Sequence, residues 1–223
     1  MLFAAGFGTR MGALTANRPK PLVTVAGKPL IDHALDQAAA IGPRKTVVNV
    51  HYLGDQIERY LHGRNITIAW ERDQILDTGG GLKSALPQLG QGPVILLNTD
   101  AVWSGENPLK QLIDAWDEDR MDALLLLLPA KDALGHKGPG DFLLADDGRI
   151  RRANGAVSPV YLGAQILRQE PVLRVKDDVF GLNRVWDDVI ARERAFGLIH
   201  HGGWCDVGSP EGIKLAESML ANV

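Results

Sequence analysis

Along the first 130 residues, strand-sized apolar runs alternate with stretches whose apolar positions recur every three or four residues. The runs are Met1–Ala5, Thr46–Val50, Ile66–Glu71, Pro93–Asn98 and Ala123–Leu128. They are apolar almost without interruption, as strands covered on both faces are. Between them, Pro29–Ile41, Leu53–Leu61, Gly81–Leu89 and Pro108–Asp117 carry helical spacing. Strands that alternate with helices of this length predict βαβ units and a mostly parallel sheet, hence an α/β fold.

After Leu128 the texture changes. "GDFLLADDGRIRRA" reads as a hairpin turning on Asp-Asp-Gly, and "SPVYLGAQIL" as a further strand. "VWDDVIARERAF" is helical, and "GLIHH" and "GWCDVG" return to strand. The chain closes on an amphipathic helix, "PEGIKLAESMLANV", with Ser209 as its N-cap and Pro210 at its first position. The expected organisation is one domain over 1–223. Its core spans about 1–130 and 195–223, with a small mixed lobe over about 131–194. No repeat or low-complexity linker interrupts it.

Length and charge narrow the possibilities. A chain of 223 residues can bury a substantial core. With 24 basic and 27 acidic residues it carries no electrostatic footprint for nucleic acid and no polybasic membrane surface. No apolar run approaches the roughly 20 residues that span a bilayer, and the start shows no signal-peptide pattern. The single cysteine, Cys205, excludes an internal disulfide framework and suits a reducing cytoplasm. "MLFAAG" reads as the end of a strand, so residues ahead of Met1 are expected in the natural chain.

The densest chemistry lies in "AAGFGTRMGALTANRPKPL", residues 4–22. Glycines just past a strand let backbone N–H groups approach phosphate oxygens. Gly6-x-Gly8-Thr9-Arg10 is not a Walker A loop, which needs Gly-Lys-Ser/Thr after a four-residue spacer, nor a dinucleotide fingerprint, since position 11 is Met. Alone it fits an ordinary βα turn equally well. Arg10 adds a planar, permanently charged fork suited to phosphate, and Lys20 a compact charge between two prolines that restrict its backbone.

Taken whole, the string from Gly6 to Pro21 resembles the signature of the sugar-1-phosphate nucleotidylyltransferases, G-x-G-T-R-[ML]-x-x-L-T-x-x-x-x-P-K-P, at every fixed position. "PLVTVAGKPLIDHAL" is similar to the family's continuation. "DTGGGL", "GPGDFLL", "YLGAQIL" and "GGWCDVG" are similar to the branch that acts on N-acetylmuramic acid 1-phosphate in cell-wall recycling. The resemblance implies a Rossmann-like, GT-A-like three-layer α/β/α sandwich with a small sugar-binding lobe. It implies transfer of a nucleotidyl group from a triphosphate, UTP first, to a sugar 1-phosphate, with release of pyrophosphate.

The resemblance also assigns residues. Ala5, Gly6, Gly8, Thr9, Arg10, Lys20, Glu71, Gly79 and Gly80 are implied at the nucleotide, and Arg10, Lys20 and Asp100 in catalysis. Asp100 closes an apolar strand, where ligands bind in open α/β sheets. Asp206 follows a second strand. Two carboxylates with two phosphates make a hard-oxygen site suited to Mg²⁺. A capping role for Asp100 and a turn role for Asp206 are the alternatives from residue type alone, and the resemblance implies metal ligation for both. Gly140, Asp141, Asn154 and Gly163 are implied at the sugar. The chain departs from many relatives in carrying "RRANGAVSP" where they have a Glu-Lys-Pro segment whose lysine meets the sugar's phosphate, and Arg151 or Arg152 is the candidate replacement.

Competing readings keep the reaction and change the substrates: mannose 1-phosphate with GTP, glucose 1-phosphate with UTP or dTTP, phosphocholine with CTP. A catalytically inactive, nucleotide-sugar-binding regulatory subunit is the non-enzymatic alternative. It is opposed by the presence of Arg10, Lys20, Asp100 and Asp206 together. His200 and His201, as strand neighbours facing opposite ways, cannot easily share an ion. Cys205 has no base partner and reads as small core filler. The chain is short for the family, so a minimal, monomeric, cytoplasmic enzyme without acetyltransferase activity is expected, with no nucleic-acid or membrane partner.

Overall fold

The computed structural model describes residues 1–222; the last position of the expected terminal helix, Val223, lies outside them. Strands in chain order are β1 Leu2–Phe3, β2 Thr24–Val25, β3 Lys28–Pro29, β4 Val47–Val50, β5 Thr67–Trp70, β6 Val94–Asn98 and β7 Ala101–Gly105. There follow β8 Ala123–Pro129, β9 Phe142–Leu144, β10 Ile150–Arg152, β11 Pro159–Leu167, β12 Ala195–Ile199 and β13 Gly202–Asp206. The helices are α1 Leu30–Ala39, α2 Gly54–Leu61, α3 Asp77–Leu89, α4 Pro108–Ala115, α5 Gln169–Leu173, α6 Asn183–Ala191 and α7 Pro210–Ala221.

Seven strands form the central sheet in the order β12-β8-β11-β6-β1-β4-β5. β6, β1, β4 and β5 are mutually parallel, as are β8 and β12, while β11 runs antiparallel to both β6 and β8. The sheet is therefore mostly parallel with one reversed strand at its centre. The expected hairpin is β9 paired with β10, and "SPVYLGAQIL" supplies β11.

Burial follows the two-residue period of the strands. On β8, Leu124, Leu126 and Leu128 enter one core with Ile31 and Ala34 of α1, Ile57 of α2 and Leu112 of α4. Ala123, Leu125 and Leu127 enter the other with Leu82 of α3, Val172 of α5, Val185 and Val189 of α6, and the hairpin's Phe142 and Ile150. Both faces are covered, which is why these strands carry no polar alternation and why three layers form. A third, smaller core gathers Met11, Val25, Val102, Cys205 and Ala216 beneath α7.

Two features position the site. First, β6 does not simply end: after the bend at Thr99–Asp100 the chain continues as β7, which pairs antiparallel with β13 so that Ala101 lies opposite Asp206. Val207 N also donates to Asp100 O at 2.8 Å. This ribbon, not read from the sequence as a pair, sets the two aspartates side by side. Second, α3 begins at Asp77, four residues before the expected Gly81, so the glycines of "DTGGGL" are helical.

Candidate active site

A cleft of about 310 Å³ opens beside the ends of β1, β4, β5 and β6. Its walls come from Ala4–Gly6, Gly8–Arg10, Lys20, Asn49, Glu71, Ile75, Asp77, Thr78, Asn98–Asp100 and Gly208. This is the carboxyl edge of the parallel strands, where the topology leaves room for a ligand.

The loop after β1 is shaped by Gly8. Its φ of 65° is left-handed, and a Cβ there would stand 2.9 Å from Lys20 Cβ. Only glycine combines that backbone with that approach. Gly8 O accepts from Met11 N and from Thr15 Oγ1, both at 2.9 Å. Gly6, by contrast, has nothing within 4 Å of the place a Cβ would take.

The prolines of "RPKP" divide their task. Pro19, at φ −67° and ψ 144°, brings the chain in extended. Lys20–Leu22 is then a short 3-10 turn in which Pro21 occupies an early position that needs no donor. Lys20 is thereby sunk to 9% exposure. Its ammonium reaches Asp100 Oδ2 at 2.9 Å. Across from it, Arg10 Nη1 stands 3.9 Å from Asp206 Oδ2, the guanidinium mostly in solvent. Burial first, and then the charge of Asp100, push the Asp206 carboxyl above its usual range, with Lys20, Arg10 and His136 opposing. The arrangement is two carboxylates that repel one another, flanked by two cations, on one rim of the cleft.

Glu71 is buried, and both its oxygens are used. Oε1 accepts from Asn49 Nδ2 at 2.7 Å and Oε2 from Leu76 N at 2.8 Å. Asn49 Oδ1 in turn accepts from Ala4 N at 2.9 Å. Glu71 therefore braces the cleft wall as well as lining it. Gly79 and Gly80 lie behind that wall, in the first turn of α3. Where their Cβ atoms would be stand the Phe180 ring at 2.3 Å and the Asp178 carbonyl oxygen at 2.1 Å. Their small size serves the packing of a distant segment, and Asp77 and Thr78 are the residues of this stretch that line the cleft.

Of the four residues expected at a sugar, none lines the cleft itself, and Gly163 abuts Asn98 of its wall. It sits where β11 breaks register, and its Cβ would meet the Asn98 side chain at 2.7 Å. Asp141 Oδ2 accepts from Tyr161 N at 2.8 Å. Gly140 presses on Ser158, its missing Cβ 2.0 Å from Ser158 O. Asn154 is exposed on the turn after β10. The two arginines separate cleanly. Arg152 donates from Nε to Asp187 at 2.8 Å and from Nη2 to Asn183 O at 3.0 Å, and lies over the Phe142 and Trp186 rings. Arg151 faces the other way and is exposed.

His200 is buried beside Trp103 and His201 is exposed. Burial pushes the Cys205 thiol up to about 11, which removes it as a nucleophile. Sequence reasoning passed over Asn49, Asn98, Thr99 and Gly208. A Cβ at Gly208 would stand 2.7 Å from Asp206 Oδ2 and 2.8 Å from Arg10 Nη1. The signal was its place in "DVGSP", two residues beyond a candidate ligand. Among the described residues no helix is long and apolar enough to cross a membrane, and no three His, Cys, Asp or Glu side chains gather as metal ligands.

Comparisons with known proteins agree on the family of the chain. A family profile described as MobA-like NTP transferase domain matches residues 1–177. N-acetylmuramate alpha-1-phosphate uridylyltransferase of Caulobacter vibrioides is 41% identical, over 99% of this chain and 96% of that protein. The protein of the same name from Neisseria meningitidis is 33% identical, over 98% and 96%. In three dimensions the chain is similar to UDP-glucose pyrophosphorylase complexed with UDP-glucose, with a TM-score of 0.75 at 19% identity, covering 99% of this chain and 97% of that one.

Proposed function

The chain belongs to the family of MobA-like NTP transferase domains, and on that premise we propose that it transfers a uridylyl group from UTP to N-acetylmuramic acid 1-phosphate and releases pyrophosphate. The observation that carries the reaction is the meeting of Arg10, Lys20, Asp100 and Asp206 on one rim of the cleft. The choice of sugar rests on the two full-length relatives, both named for that activity.

The chemistry is an in-line attack. An oxygen of the sugar phosphate approaches the α-phosphorus as the bond to pyrophosphate breaks, and no enzyme-bound intermediate is required. The task is to bring two anions together and to hold charge on the transferring group. Arg10 and the backbone around Gly6 and Gly8 hold the triphosphate. Lys20, sunk beside Asp100, lies where the α-phosphate meets the carboxylates. The base lies toward Ile75–Thr78, braced by Glu71.

A divalent cation fits the remaining feature of the site. Asp206 is pushed up by burial first and then by the charge of Asp100, and two hard carboxylates suit Mg²⁺. Bound by Asp100 and Asp206, it supplies charge neutralisation at the α-phosphate. Gly140, Asp141, Asn154 and Gly163 would form the sugar side of a single monomeric domain, in which the part of 131–194 outside the central sheet is the β9–β10 hairpin and its flanking loops, since β11 lies within that sheet.

A panel of triphosphates against sugar phosphates, scored by pyrophosphate release with and without EDTA, tests this. UTP with N-acetylmuramic acid 1-phosphate is expected to turn over fastest, to stop on chelation and to resume with Mg²⁺. Faster turnover of mannose 1-phosphate with GTP, or of glucose 1-phosphate with UTP or dTTP, would replace the substrate. Binding without pyrophosphate release would replace the enzyme.

A further inference from the structure

We propose that Lys83 is a positioning residue for the nucleotide wall, acting through the segment 175–182 that joins α5 to α6. The proposal rests on reading the cleft as the UTP site. The wall Ile75–Thr78 leads from the loop after β5 into the first residues of α3 with no ladder partner, so its backbone groups must be met from elsewhere.

One side is the Glu71 brace to Leu76 N. The other is the 175–182 strap. Phe180 N donates to Leu76 O at 3.1 Å, and Leu182 N to Thr78 Oγ1 at 3.0 Å. Gly79 N and Gly80 N both donate to Phe180 O at 2.9 Å. Those two amides are orphan donors of the first turn of α3. A carbonyl thus takes the place that a bound anion takes at other helix starts.

The strap has no regular structure of its own, and Lys176–Val179 are exposed. Phe180 is its buried anchor at one end. At the other end the ties come from α3 itself: Lys83 Nζ donates to Val175 O at 3.0 Å and to Asp177 O at 3.1 Å, and pairs with Asp178 at 3.6 Å. The lysine side chain is three-quarters buried. Its bonds go to backbone carbonyls, so it differs from an exposed ion pair of negligible worth. The loop is closed: α3 holds the strap through Lys83, and the strap holds the start of α3 and the wall before it. Without Lys83 the wall keeps its partners but loses their fixed position, and a binding wall displaced by a fraction of an ångström weakens the ligand it faces.

Lys83→Met and Lys83→Arg test this, with UTP affinity measured by calorimetry on the free enzyme and kinetics measured by varying each substrate. In Lys83→Met, Kd and KM for UTP are expected to rise on the order of tenfold. The kcat and the KM for the sugar phosphate stay within about twofold, the preference for UTP over CTP shrinks, and Lys83→Arg restores it. Unchanged UTP affinity overturns the proposal. So does an equal rise in both KM values with a fall in kcat, the mark of a general structural role. A wild-type chain that binds no triphosphate removes the UTP reading and this proposal with it. Wild type that binds UTP, matched by Lys83→Met, removes this proposal alone. Should Lys83→Met not fold, Lys83→Gln carries the same expectation at smaller size.

Discussion

The Lys20 ammonium donates to Asp100 Oδ2 at 2.9 Å across 80 residues of sequence, on the rim of a cleft that belongs to the carboxyl edge of the sheet. In the structure the two groups satisfy each other. On the proposed reading a triphosphate would give this lysine a second anion, the task of a preorganised electrostatic group. Lys20→Ala is expected to lower kcat by at least about 10²-fold, since removing one such group costs about 3 kcal/mol. The fold stays, because Asp100 is about one-third exposed and can hydrate. Pyrophosphate release with the thermal transition alongside checks both halves; near-normal turnover would sink the assignment.

The two glycines that flank Phe7 should behave differently. Gly8→Ala forces a left-handed backbone on alanine and drives its Cβ to 2.9 Å from Lys20 Cβ. Stability is expected to drop by about 1–2 kcal/mol, with activity lost because Lys20 is displaced. Gly6→Ala meets open space, so its thermal transition should not move. If that space receives the triphosphate, KM for UTP nevertheless rises. Equal behaviour of the two variants would refute the distinction.

Much of the fold was legible because both sheet faces are covered: Val47–Val50, Val94–Asn98 and Ala123–Pro129 announce themselves as apolar runs. The order of the strands was not. Nothing local says that Pro159–Leu167 enters between β6 and β8 in reverse, since that depends on which edges remain free when it arrives. Arg10, Lys20, Asp100 and Asp206 were legible as residues, whereas the β7–β13 ribbon that brings the aspartates together was hidden in a polar-ended run. Gly79 and Gly80 show the limit most clearly. Their neighbours Phe180 and Asp178 lie about a hundred positions downstream, so a stretch that resembles a base platform carries no local mark of the strap behind it.

His200 sets an acid limit on stability. Gln111 Oε1 accepts from His201 N at 2.9 Å, so its amide nitrogen, 3.0 Å from His200 Nδ1, is the donor there. The imidazole is therefore neutral with its proton on Nε2. Burial first holds it down to about 4, against 6.5 in the unfolded chain. The unfolded state takes up a proton between those values and the native state does not, so stability is whole above pH 6.5 and declines as pH falls toward 4. The decline from this group is about 3 kcal/mol. Denaturant titrations at pH 7 and pH 4 should give His200→Gln the smaller acid loss; equal losses would show that His200 does not titrate in this range.

Asp122 offers a stability test remote from the chemistry. At the start of β8 it is 7% exposed and meets three guanidinium groups: Arg194 at 2.8 Å, Arg192 at 2.9 Å and Arg168 at 3.5 Å. Its backbone is tied in the same place, with Asp122 N donating to Arg194 O and Arg168 N to Asp122 O. The carboxylate therefore joins the start of β12, the end of β11 and the start of β8. Asp122→Asn leaves three cations converging on a neutral group. A fully buried pair broken this way costs about 3–5 kcal/mol. Here the arginines are each about one-third exposed and can hydrate, so about 2–3 kcal/mol is the expected loss. None of these residues lines the cleft, so kcat and both KM values should hold at temperatures where the variant is folded. Urea unfolding beside steady-state kinetics separates the two: a fall in kcat at full folding would mean that strand order at this edge reaches the active site.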